Sequence, residues 1–206
     1  SKEFDGWLIR ERRLWARRAP GSTCLAALRT SRDSDLHASN DSKGCGTVMR
    51  DAPFGLALAR RPEAALREAI DAAWTTHGHP SARYASGALA AIIAGLAQGQ
   101  PLPGAVASAC KMVSSLPEAR EVAEALRRAV DLATLPDWRG RLPELGEGWV
   151  AEEALAIAVL CSLAAAGPAE AIIAAVNHGG DSDSTGAITG NIVGTLHGAA
   201  ALPSAW

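Results

Sequence analysis

Near the end of the chain the sequence reads Asn177-His178-Gly179-Gly180-Asp181-Ser182-Asp183-Ser184-Thr185-Gly186. It continues as Ala187-Ile188-Thr189-Gly190-Asn191-Ile192-Val193-Gly194-Thr195-Leu196-His197-Gly198, an apolar run that predicts a helix. Carboxylate and hydroxyl side chains crowd the start of that helix, directly after a Gly-Gly pair. Oxygen ligands of this kind are what Mg²⁺, Mn²⁺ or Ca²⁺ prefers in proteins. The segment therefore predicts a metal site at the beginning of a helix.

Glycine recurs at every fourth position of this segment, at Gly186, Gly190, Gly194 and Gly198. Each glycine inside a helix costs roughly 1 kcal/mol relative to alanine, or about 4 kcal/mol for the four. We therefore expect another helix to approach the bare face closely and to offset this cost. An alternative explanation of the polar residues is that the Asp and Ser side chains only cap the helix. Capping needs one such residue, whereas this segment has several.

Composition indicates an ordinary globular chain. The 206 residues are 48% hydrophobic and 20% charged, a size and balance that predict one domain with a sizeable core. Abundant alanine and only 4% aromatic residues favour closely packed helices over a sheet sandwich. A net charge of -2 argues against a nucleic-acid or anionic-membrane binder. The four cysteines form no CxxC motif, and no apolar run is long enough to span a bilayer, so we expect reduced thiols and a cytoplasmic location.

The periodicity of apolar residues predicts about nine or ten helices and no strand. The clearest helices are predicted at residues 5–18, 62–74, 81–98, 103–115, 117–134 and 168–176. The helix at 81–98 is almost wholly apolar, as is the run at 154–166, and both are expected to be buried. Glu152 and Glu153 precede that run in its first turn, where we expect them to cap the helix and to interact with its dipole. Polar residues 30–43 and the Pro/Gly-rich residues 138–148 predict loops.

Two further polar segments are candidates for binding. Lys43-Gly44-Cys45-Gly46-Thr47-Val48-Met49-Arg50 places two glycines beside a helix start, where backbone N–H groups can approach an anion. Thr75-Thr76-His77-Gly78-His79-Pro80 separates two predicted helices, and its histidines would by default cap a helix or face solvent. Asp51 follows the glycine loop, and a buried carboxylate there would need a partner such as Arg50.

Three known patterns compete for residues 177–191. Asp181-x-Asp183-x-Thr185 has the spacing of the nucleophile motif of haloacid-dehalogenase-type phosphatases. That motif ends a hydrophobic strand and needs a lysine later in the chain. No lysine follows Thr185. The same residues imitate the first half of an EF-hand loop, whose last ligand should be Glu where this chain has Ile192. The third pattern fits without gaps. Residues 175–191, Ala-Val-Asn-x-Gly-Gly-Asp-x-Asp-Ser-Thr-Gly-Ala-Ile-x-Gly-Asn, closely resemble the carboxy-terminal metal motif of the ADP-ribosylglycohydrolase family, which includes dinitrogenase reductase-activating glycohydrolases and ADP-ribosyl-arginine and ADP-ribosyl-serine hydrolases.

Other segments are similar to the same family and occur in its order. The glycine loop is similar to the loop that cradles the diphosphate of ADP-ribose, which implies this role for Gly44, Cys45 and Gly46. The segment at 75–80 resembles the one whose first histidine borders the ribose pocket, which implies that His77 faces the ribose. Residues 148–155 also resemble the family.

The resemblance implies an all-helical domain of compact orthogonal helices. It also implies two bound divalent ions, Mg²⁺ or Mn²⁺, and hydrolysis of the N- or O-glycosidic bond between ADP-ribose and an acceptor. Asp181, Asp183 and Ser184 would be metal ligands, with Thr185 beside them, and Asp181 and Asp183 would act in catalysis through the metal. The expected partners are ADP-ribose or an ADP-ribosylated substrate, with no nucleic acid and no membrane; the acceptor is left open among arginine, serine, a base and free derivatives.

Family members also carry a Thr-Asp-Asp-Thr type segment near the amino terminus, and no such segment occurs before Trp15. Three side-chain ligands would leave two octahedral Mg²⁺ shells largely to water. We therefore expect this chain to be the later two-thirds of such an enzyme and nearly inactive alone, the amino-terminal segment having been removed or lying on a separate chain. The alternative is a catalytically inactive ADP-ribose-binding or structural relative, as lens crystallins of this family are.

Overall fold

The computed structural model describes residues 10–16, 19–31 and 36–206 of the chain. Within these ranges it contains nine α-helices, four short 3-10 helices and no strand, so the all-α prediction is confirmed. In chain order the α-helices are α1 (Ser22–Thr30), α2 (Ala52–Ala57), α3 (Pro62–Trp74), α4 (Pro80–Ala97), α5 (Leu102–Ser114), α6 (Arg120–Ala133), α7 (Ala151–Ala164), α8 (Pro168–Ala175) and α9 (Ser182–His197). One isolated antiparallel bridge joins Gly44 to Val150.

Helix α4 lies at the centre of the helices and contacts α2, α3, α5, α6, α7 and α9. Leu89, Ile92 and Ile93 are wholly buried in it. Gly87 lets α3 approach closely, because a Cβ at this position would lie 3.0 Å from the carbonyl oxygen of Leu66. The prediction of a central apolar helix at 81–98 is thus confirmed.

Helix α7 is the second buried helix. It is apolar on all sides, as expected of a helix inside a core, and Leu155, Ile157 and Leu160 are wholly buried. It packs against α6, α8 and α9. The loop before α7 reaches the start of α9, since the N–H group of Asp181 donates to the carbonyl oxygen of Glu147, and this contact helps to position the candidate site.

Helices α5 and α6 form the predicted pair. Helix α6 buries Val122, Leu126 and Ala129 on one face and exposes charged residues on the other, the pattern of a helix at the edge of a core. It begins at Arg120 and not at 117, because the chain turns at Glu118, which has a φ of 58°.

The glycine-rich face of α9 differs from the prediction. A Cβ on Gly186 would lie 2.6 Å from Cγ1 of Val176, but no atom of the described residues lies within 4 Å of a Cβ built on Gly190 or Gly194. Gly198 follows the helix with a φ of 76° and is not part of it. Within the described part of the chain, the expected close approach of another helix is therefore wrong at Gly190 and Gly194. Four residues advance by about 40° more than one full turn, so the glycines drift around the helix instead of forming one straight contact line.

Two predicted segments fall partly on residues that the structure does not describe. The helix predicted at 5–18 lies largely outside the described residues, and within its span a 3-10 turn occupies Arg12–Leu14. The loop predicted at 30–43 lies partly outside them, and residues 36–43 are not helical. In the described ranges no helix combines the length and the apolar character needed to cross a bilayer. All four cysteines are free thiols.

Candidate metal and nucleotide site

Asp181 occupies the N-cap position of α9 and is 7% exposed. Its carboxylate makes no side-chain cap hydrogen bond to the helix, so the alternative that it only caps α9 is not supported. Oδ2 of Asp181 instead accepts a 2.8 Å hydrogen bond from the thiol of Cys45. In the first turn of α9, Ser184 is buried and Asp183 is exposed.

The glycine turn before α9 fixes the backbone of Asp181. The N–H group of Asp181 donates a 2.8 Å hydrogen bond to the carbonyl oxygen of Glu147. A Cβ on Gly180 would lie 1.9 Å from that same oxygen, so only glycine permits the contact. Gly179 has a φ of 87°, the left-handed conformation that glycine adopts at low cost. The Gly-Gly pair is therefore required to place α9 against residue 147.

Thr185 lies beside the predicted ligands, but its hydroxyl is bonded elsewhere. It is fully buried, and Oγ1 lies 2.7 Å from the carbonyl oxygen of Ala175 and 3.0 Å from that of Asp181. Nε2 of His178 is 2.9 Å from the same oxygen. Thr185 thus joins the end of α8 to the start of α9, a structural role that supports the ligand segment.

The glycine loop, residues 44–46, meets the start of α9. The N–H group of Cys45 donates to the carbonyl oxygen of Trp149 at 3.2 Å, and that of Ala151 donates to the carbonyl oxygen of Lys43 at 2.8 Å, which ties the loop to the first turn of α7. Sγ of Cys45 lies 2.8 Å from Asp181 and 3.4 Å from Oγ of Ser184. The structure thus brings together Cys45, Asp181 and Ser184.

Electrostatics keep the Cys45 thiol protonated and the Asp181 carboxylate ionised. Burial, followed by the hydrogen bond to Asp181, raises the pKa of Cys45 to about 12. Burial acts to raise the pKa of Asp181, but hydrogen bonds from the thiol of Cys45 and from Ser184 help to outweigh it and hold that pKa below its usual value. An ionised carboxylate beside hydroxyl oxygens is the ligand chemistry that hard cations prefer.

His77 faces the glycine loop from the turn between α3 and α4. It is 2% exposed, and a Cβ on Gly44 would lie 3.0 Å from Nε2 of His77. Nδ1 is 2.9 Å from Oγ1 of Thr76, which also accepts a 2.8 Å hydrogen bond from Arg50. Burial and then the charge of Arg50 lower the pKa of His77 to about 4, so its ring is neutral at physiological pH. The structure thus places His77 beside the glycine loop, while its predicted contact with a ribose stays a prediction. The second histidine of this segment, His79, serves as the N-cap of α4, as the default explanation stated.

Asp51 is buried behind the loop, as the sequence suggested, and is paired with the predicted partner. Nε of Arg50 lies 3.6 Å from Oδ1 of Asp51, while Oδ2 has no hydrogen-bond partner among the residues that the structure describes. Burial raises the pKa of Asp51 to about 6, although Arg50 acts in the opposite direction.

The role predicted for the two glutamates of α7 needs correction. Val150 is the N-cap of α7, and no side-chain cap hydrogen bond is made there by the described residues. Oε2 of Glu153 accepts hydrogen bonds of 3.1 Å from the N–H groups of Glu147 and Gly148, so it braces the preceding loop. Glu152 is nine-tenths buried, and its Oε1 pairs with Nζ of Lys43 at 2.5 Å. Both carboxylates therefore serve residues outside the helix, because packing of the two loops on α7 brings donors within their reach.

Lys43 is a supporting residue that the sequence did not single out. Nζ also lies 2.8 Å from Oε2 of Glu121 on α6, whose carboxylate in turn accepts a short hydrogen bond from Ser81 on α4. Burial lowers the pKa of Lys43, but the hydrogen bonds to Glu121 and Glu152 outweigh this effect and raise it. No local pattern marks this network, since its members are far apart in sequence.

The donor set fits a hard divalent cation only in part. Asp181, Asp183 and Ser184 offer oxygen ligands from a single turn of α9. In the part of the chain that the structure describes, no group of three or more His, Cys, Asp or Glu side chains is placed to hold a metal ion. The residues present would therefore supply one side of a metal site.

Comparisons with known proteins show which proteins this chain is similar to. The family model for ADP-ribosylglycohydrolase matches residues 1–206. A solved structure described as an "ADP-ribosylglycohydrolase-related protein complex" is similar to this chain, with 31% sequence identity and a TM-score of 0.68. The match covers 90% of this chain and 62% of that one, so this chain spans under two thirds of the length of its relative. A search of curated proteins finds no match.

Proposed function

Because this chain belongs to the ADP-ribosylglycohydrolase family, we propose that it carries part of a divalent-metal-dependent site that hydrolyses the glycosidic bond between ADP-ribose and an acceptor. The observation that supports this most strongly is the contact between the glycine loop and the start of α9, through Cys45 and Asp181. A loop suited to a diphosphate thereby adjoins oxygen ligands suited to a cation. The family is generally dependent on divalent metals.

Each part of the proposed site has a distinct task. Asp181, Asp183 and Ser184 would hold Mg²⁺ or Mn²⁺, and two ions are proposed by analogy with the family. When bound, such ions acidify water and stabilise the charge that develops as a glycosidic bond breaks. The backbone of Gly44 and Gly46 would contact the diphosphate.

Two aromatic rings complete the proposed contacts with the nucleotide. His77, neutral at physiological pH, would donate a hydrogen bond to a ribose or phosphate oxygen. Trp149 lies beside the loop, its carbonyl oxygen bonded to the N–H of Cys45, and is 58% exposed. An exposed indole is a suitable surface for an adenine base to stack on, since aromatic side chains and bases stack favourably.

We further propose that residues 1–206 form one helical domain and that the protein works in the cytoplasm. The central position of α4, which packs against α2, α3, α5, α6, α7 and α9, supports the first point. The four free cysteines are in keeping with a reducing compartment. We propose no narrower linkage than the N- or O-glycosidic bond of the family in general. The acceptor is arginine, serine or another ADP-ribosylated group.

Titration calorimetry with Mn²⁺ and with ADP-ribose tests the proposal. We expect ADP-ribose to bind only when Mn²⁺ is present, and both affinities to fall at least about tenfold in Asp183→Asn, since this change removes a charged ligand. Asp131→Asn, an exposed carboxylate on α6, is the matched control and should bind as the wild type does. Metal-independent binding, or none, would instead support the inactive relative.

Activity requires a separate assay with proteins ADP-ribosylated on arginine or on serine. Since this chain spans 62% of its solved relative, the assay is done with and without the remaining part of that relative added as a second polypeptide. We expect little hydrolysis by the chain alone and metal-dependent hydrolysis in the mixture. Strong hydrolysis by the chain alone would show that its own ligands suffice.

A further inference from the structure

His77 reaches the candidate site with only one of its two ring nitrogens. Nδ1 is turned toward Thr76 at 2.9 Å, and Nε2 is turned toward the glycine loop. Among the described residues Nε2 has no hydrogen-bond partner. A side chain at position 44 would cover it, since a Cβ on Gly44 would lie 3.0 Å away. The chemistry that His77 offers to a ligand is therefore decided by whether Nε2 carries a proton.

The hydrogen bonds around Thr76 decide where that proton lies. Arg50 donates to Oγ1 of Thr76 at 2.8 Å, and a guanidinium can only donate. The hydroxyl proton of Thr76 then has two acceptors within reach, the carbonyl oxygen of Ala73 at 3.4 Å and Nδ1 of His77 at 2.9 Å. That carbonyl already accepts the N–H groups of Thr76 at 3.1 Å and His77 at 3.0 Å, which use both of its lone pairs. The proton of Thr76 accordingly goes to Nδ1.

We infer that His77 is held as the neutral tautomer with its proton on Nε2, and that Thr76 and Arg50 are the positioning residues that fix this state. A nitrogen that accepts a hydrogen bond carries no proton of its own, so the neutral ring must carry its single proton on the other nitrogen. This inference deepens the proposed function, on which its statement about the ligand rests. The low pKa of His77, caused by burial and by Arg50, agrees with a ring that stays neutral.

The tautomer assigns His77 a definite chemical role. Nε2–H is a fixed donor beside the glycine loop, so it selects an oxygen acceptor on the ligand, either a phosphate oxygen or a ribose hydroxyl. It cannot take a proton from a substrate or from water, because Nε2 is already protonated and Nδ1 is bonded to Thr76. Any general base of the proposed reaction must therefore be another group.

The contacts that link Asp51, Arg50, Thr76 and His77 also give a role to Asp51. Without that role, burial of its carboxyl group would only destabilise the fold. Asp51 is 1% exposed, and its Oδ1 lies 3.6 Å from Nε of Arg50. NH2 of Arg50 is further held by the carbonyl oxygen of Ala72 at 3.3 Å. These contacts keep the guanidinium oriented, which keeps the hydroxyl of Thr76 oriented toward His77.

Nitrogen-15 NMR of the labelled chain tests the tautomer directly and without a ligand. Long-range proton–nitrogen spectra distinguish a ring nitrogen that carries a proton from one that does not. At neutral pH we expect the protonated type at Nε2 and the unprotonated type at Nδ1 of His77. The reverse assignment, or a doubly protonated ring, would overturn the inference, whatever the protein binds.

Three variants test the positioning role. Thr76→Val keeps the shape of the side chain and removes the hydroxyl, so we expect the Nδ1–H form of His77 to appear in the same spectra. Thr76→Ser keeps the hydroxyl and should retain the wild-type tautomer. This variant can still be measured if Thr76→Val does not fold. Thr75→Val is the matched control, since the hydroxyl of Thr75 bonds to the carbonyl oxygen of Ala72 and not to His77. An unchanged tautomer in Thr76→Val would refute the role of Thr76.

Calorimetry with ADP-ribose and Mn²⁺ then separates this inference from the proposed function. Loss of one donor should weaken ADP-ribose binding about three- to tenfold in Thr76→Val and leave it unchanged in Thr76→Ser. If the wild type shows the Nε2–H tautomer but binds no ADP-ribose, the proposed function fails and the assignment of the proton stands. If the wild type binds ADP-ribose but His77 carries its proton on Nδ1, this inference fails and the proposed function stands.

Discussion

The thiol of Cys45 donates a 2.8 Å hydrogen bond to Oδ2 of Asp181, and 136 residues of sequence separate the two. This contact joins the glycine loop to the first turn of α9. The proton stays on sulfur, because burial and the neighbouring carboxylate raise the pKa of Cys45 to about 12. Cys45 is thus a hydrogen-bond donor to a candidate metal ligand and not a nucleophile.

Thiol labelling should show this directly. We expect iodoacetamide to alkylate Cys24 and Cys110, which are partly exposed, and to spare Cys45 and Cys161 in the folded protein. The thiolate is the reactive form, and burial raises the pKa of Cys161, like that of Cys45, to about 12. Mass spectrometry after timed alkylation measures each site. In concentrated urea all four should react alike, and alkylation of Cys45 as fast as that of Cys110 under native conditions would contradict the expectation.

Asp51 should make stability depend on pH in a definite direction. Its pKa rises from 3.8 to about 6 on folding, so the folded state favours the protonated form. For an acid whose pKa is raised by folding, its contribution to stability is fully present below the pKa of the unfolded state. This contribution is lost as pH rises through the pKa of the folded state. Between about pH 4 and about pH 8, the free energy of unfolding of the wild type should fall by on the order of 2 to 3 kcal/mol relative to that of Asp51→Asn.

Urea unfolding of both proteins at the two pH values measures this difference. Asp131→Asn, which changes an exposed carboxylate on α6, is the control and should follow the pH dependence of the wild type. Equal pH dependence of the wild type and Asp51→Asn would mean that the carboxyl of Asp51 does not resist ionisation in the folded chain.

Two glycine-to-alanine changes near α9 should have opposite effects. Gly180→Ala places a Cβ 1.9 Å from the carbonyl oxygen of Glu147, and the backbone must move, at a cost of about 1–3 kcal/mol. Gly190→Ala meets no described atom within 4 Å and should stabilise the helix by up to about 1 kcal/mol. Urea unfolding gives both values. Destabilisation by Gly190→Ala would show that something packs on the open side of α9.

Loss of the Lys43 ammonium should destabilise the loop region. In Lys43→Met the carboxylate of Glu152 stays buried without its partner, which should cost on the order of 2 kcal/mol. Lys111→Met, an exposed position on α5, should cost less than about 0.5 kcal/mol. Adding Glu152→Gln to Lys43→Met should recover part of the loss, because the unpaired charge is gone. No recovery in this double variant, measured by urea unfolding, would assign the loss to packing of the lysine stem.

Trp149 should contribute to nucleotide binding and little to folding. Removing its exposed ring in Trp149→Ala should weaken ADP-ribose binding by about tenfold or more, the usual effect of losing an aromatic stacking partner of a base. Trp206→Ala removes a ring that is 62% exposed at the end of the chain, and binding should not change. Calorimetry with Mn²⁺ present measures both. Equal affinities in the two variants would remove Trp149 from the proposed site.

Helices and local motifs were predictable from the sequence because their signals are local. The helix predicted at 62–74 has those bounds in the structure, and the apolar segment at 81–98 differs from α4 by a single residue at each end. The polar start of α9 was recognised from spacing alone. The proximity of Gly44 to His77 was not predicted, since nothing in the 32 intervening residues encodes the contact locally.

Contacts over long sequence separations were not predictable. Lys43 pairs with Glu121 and Glu152 only because α6 and α7 pack beside the loop, so no spacing rule could indicate it. The same packing takes Glu153 away from the capping role that its first-turn position suggested. The open side of α9 was also missed, because a run of glycines indicates room for a neighbour and not that a neighbour is present.

The bracing of residues 146–150 against α7 has a dynamic consequence. This short stretch receives the amides of Cys45 and Asp181 on its carbonyl oxygens, while its own amides at 147 and 148 are bound by Glu153. Fraying of the first turn of α7 would release all of these bonds in one opening event. Amide hydrogens at Cys45 and Asp181 should therefore exchange with solvent deuterium at matched rates, and cation and nucleotide affinity should vanish together on mild heating.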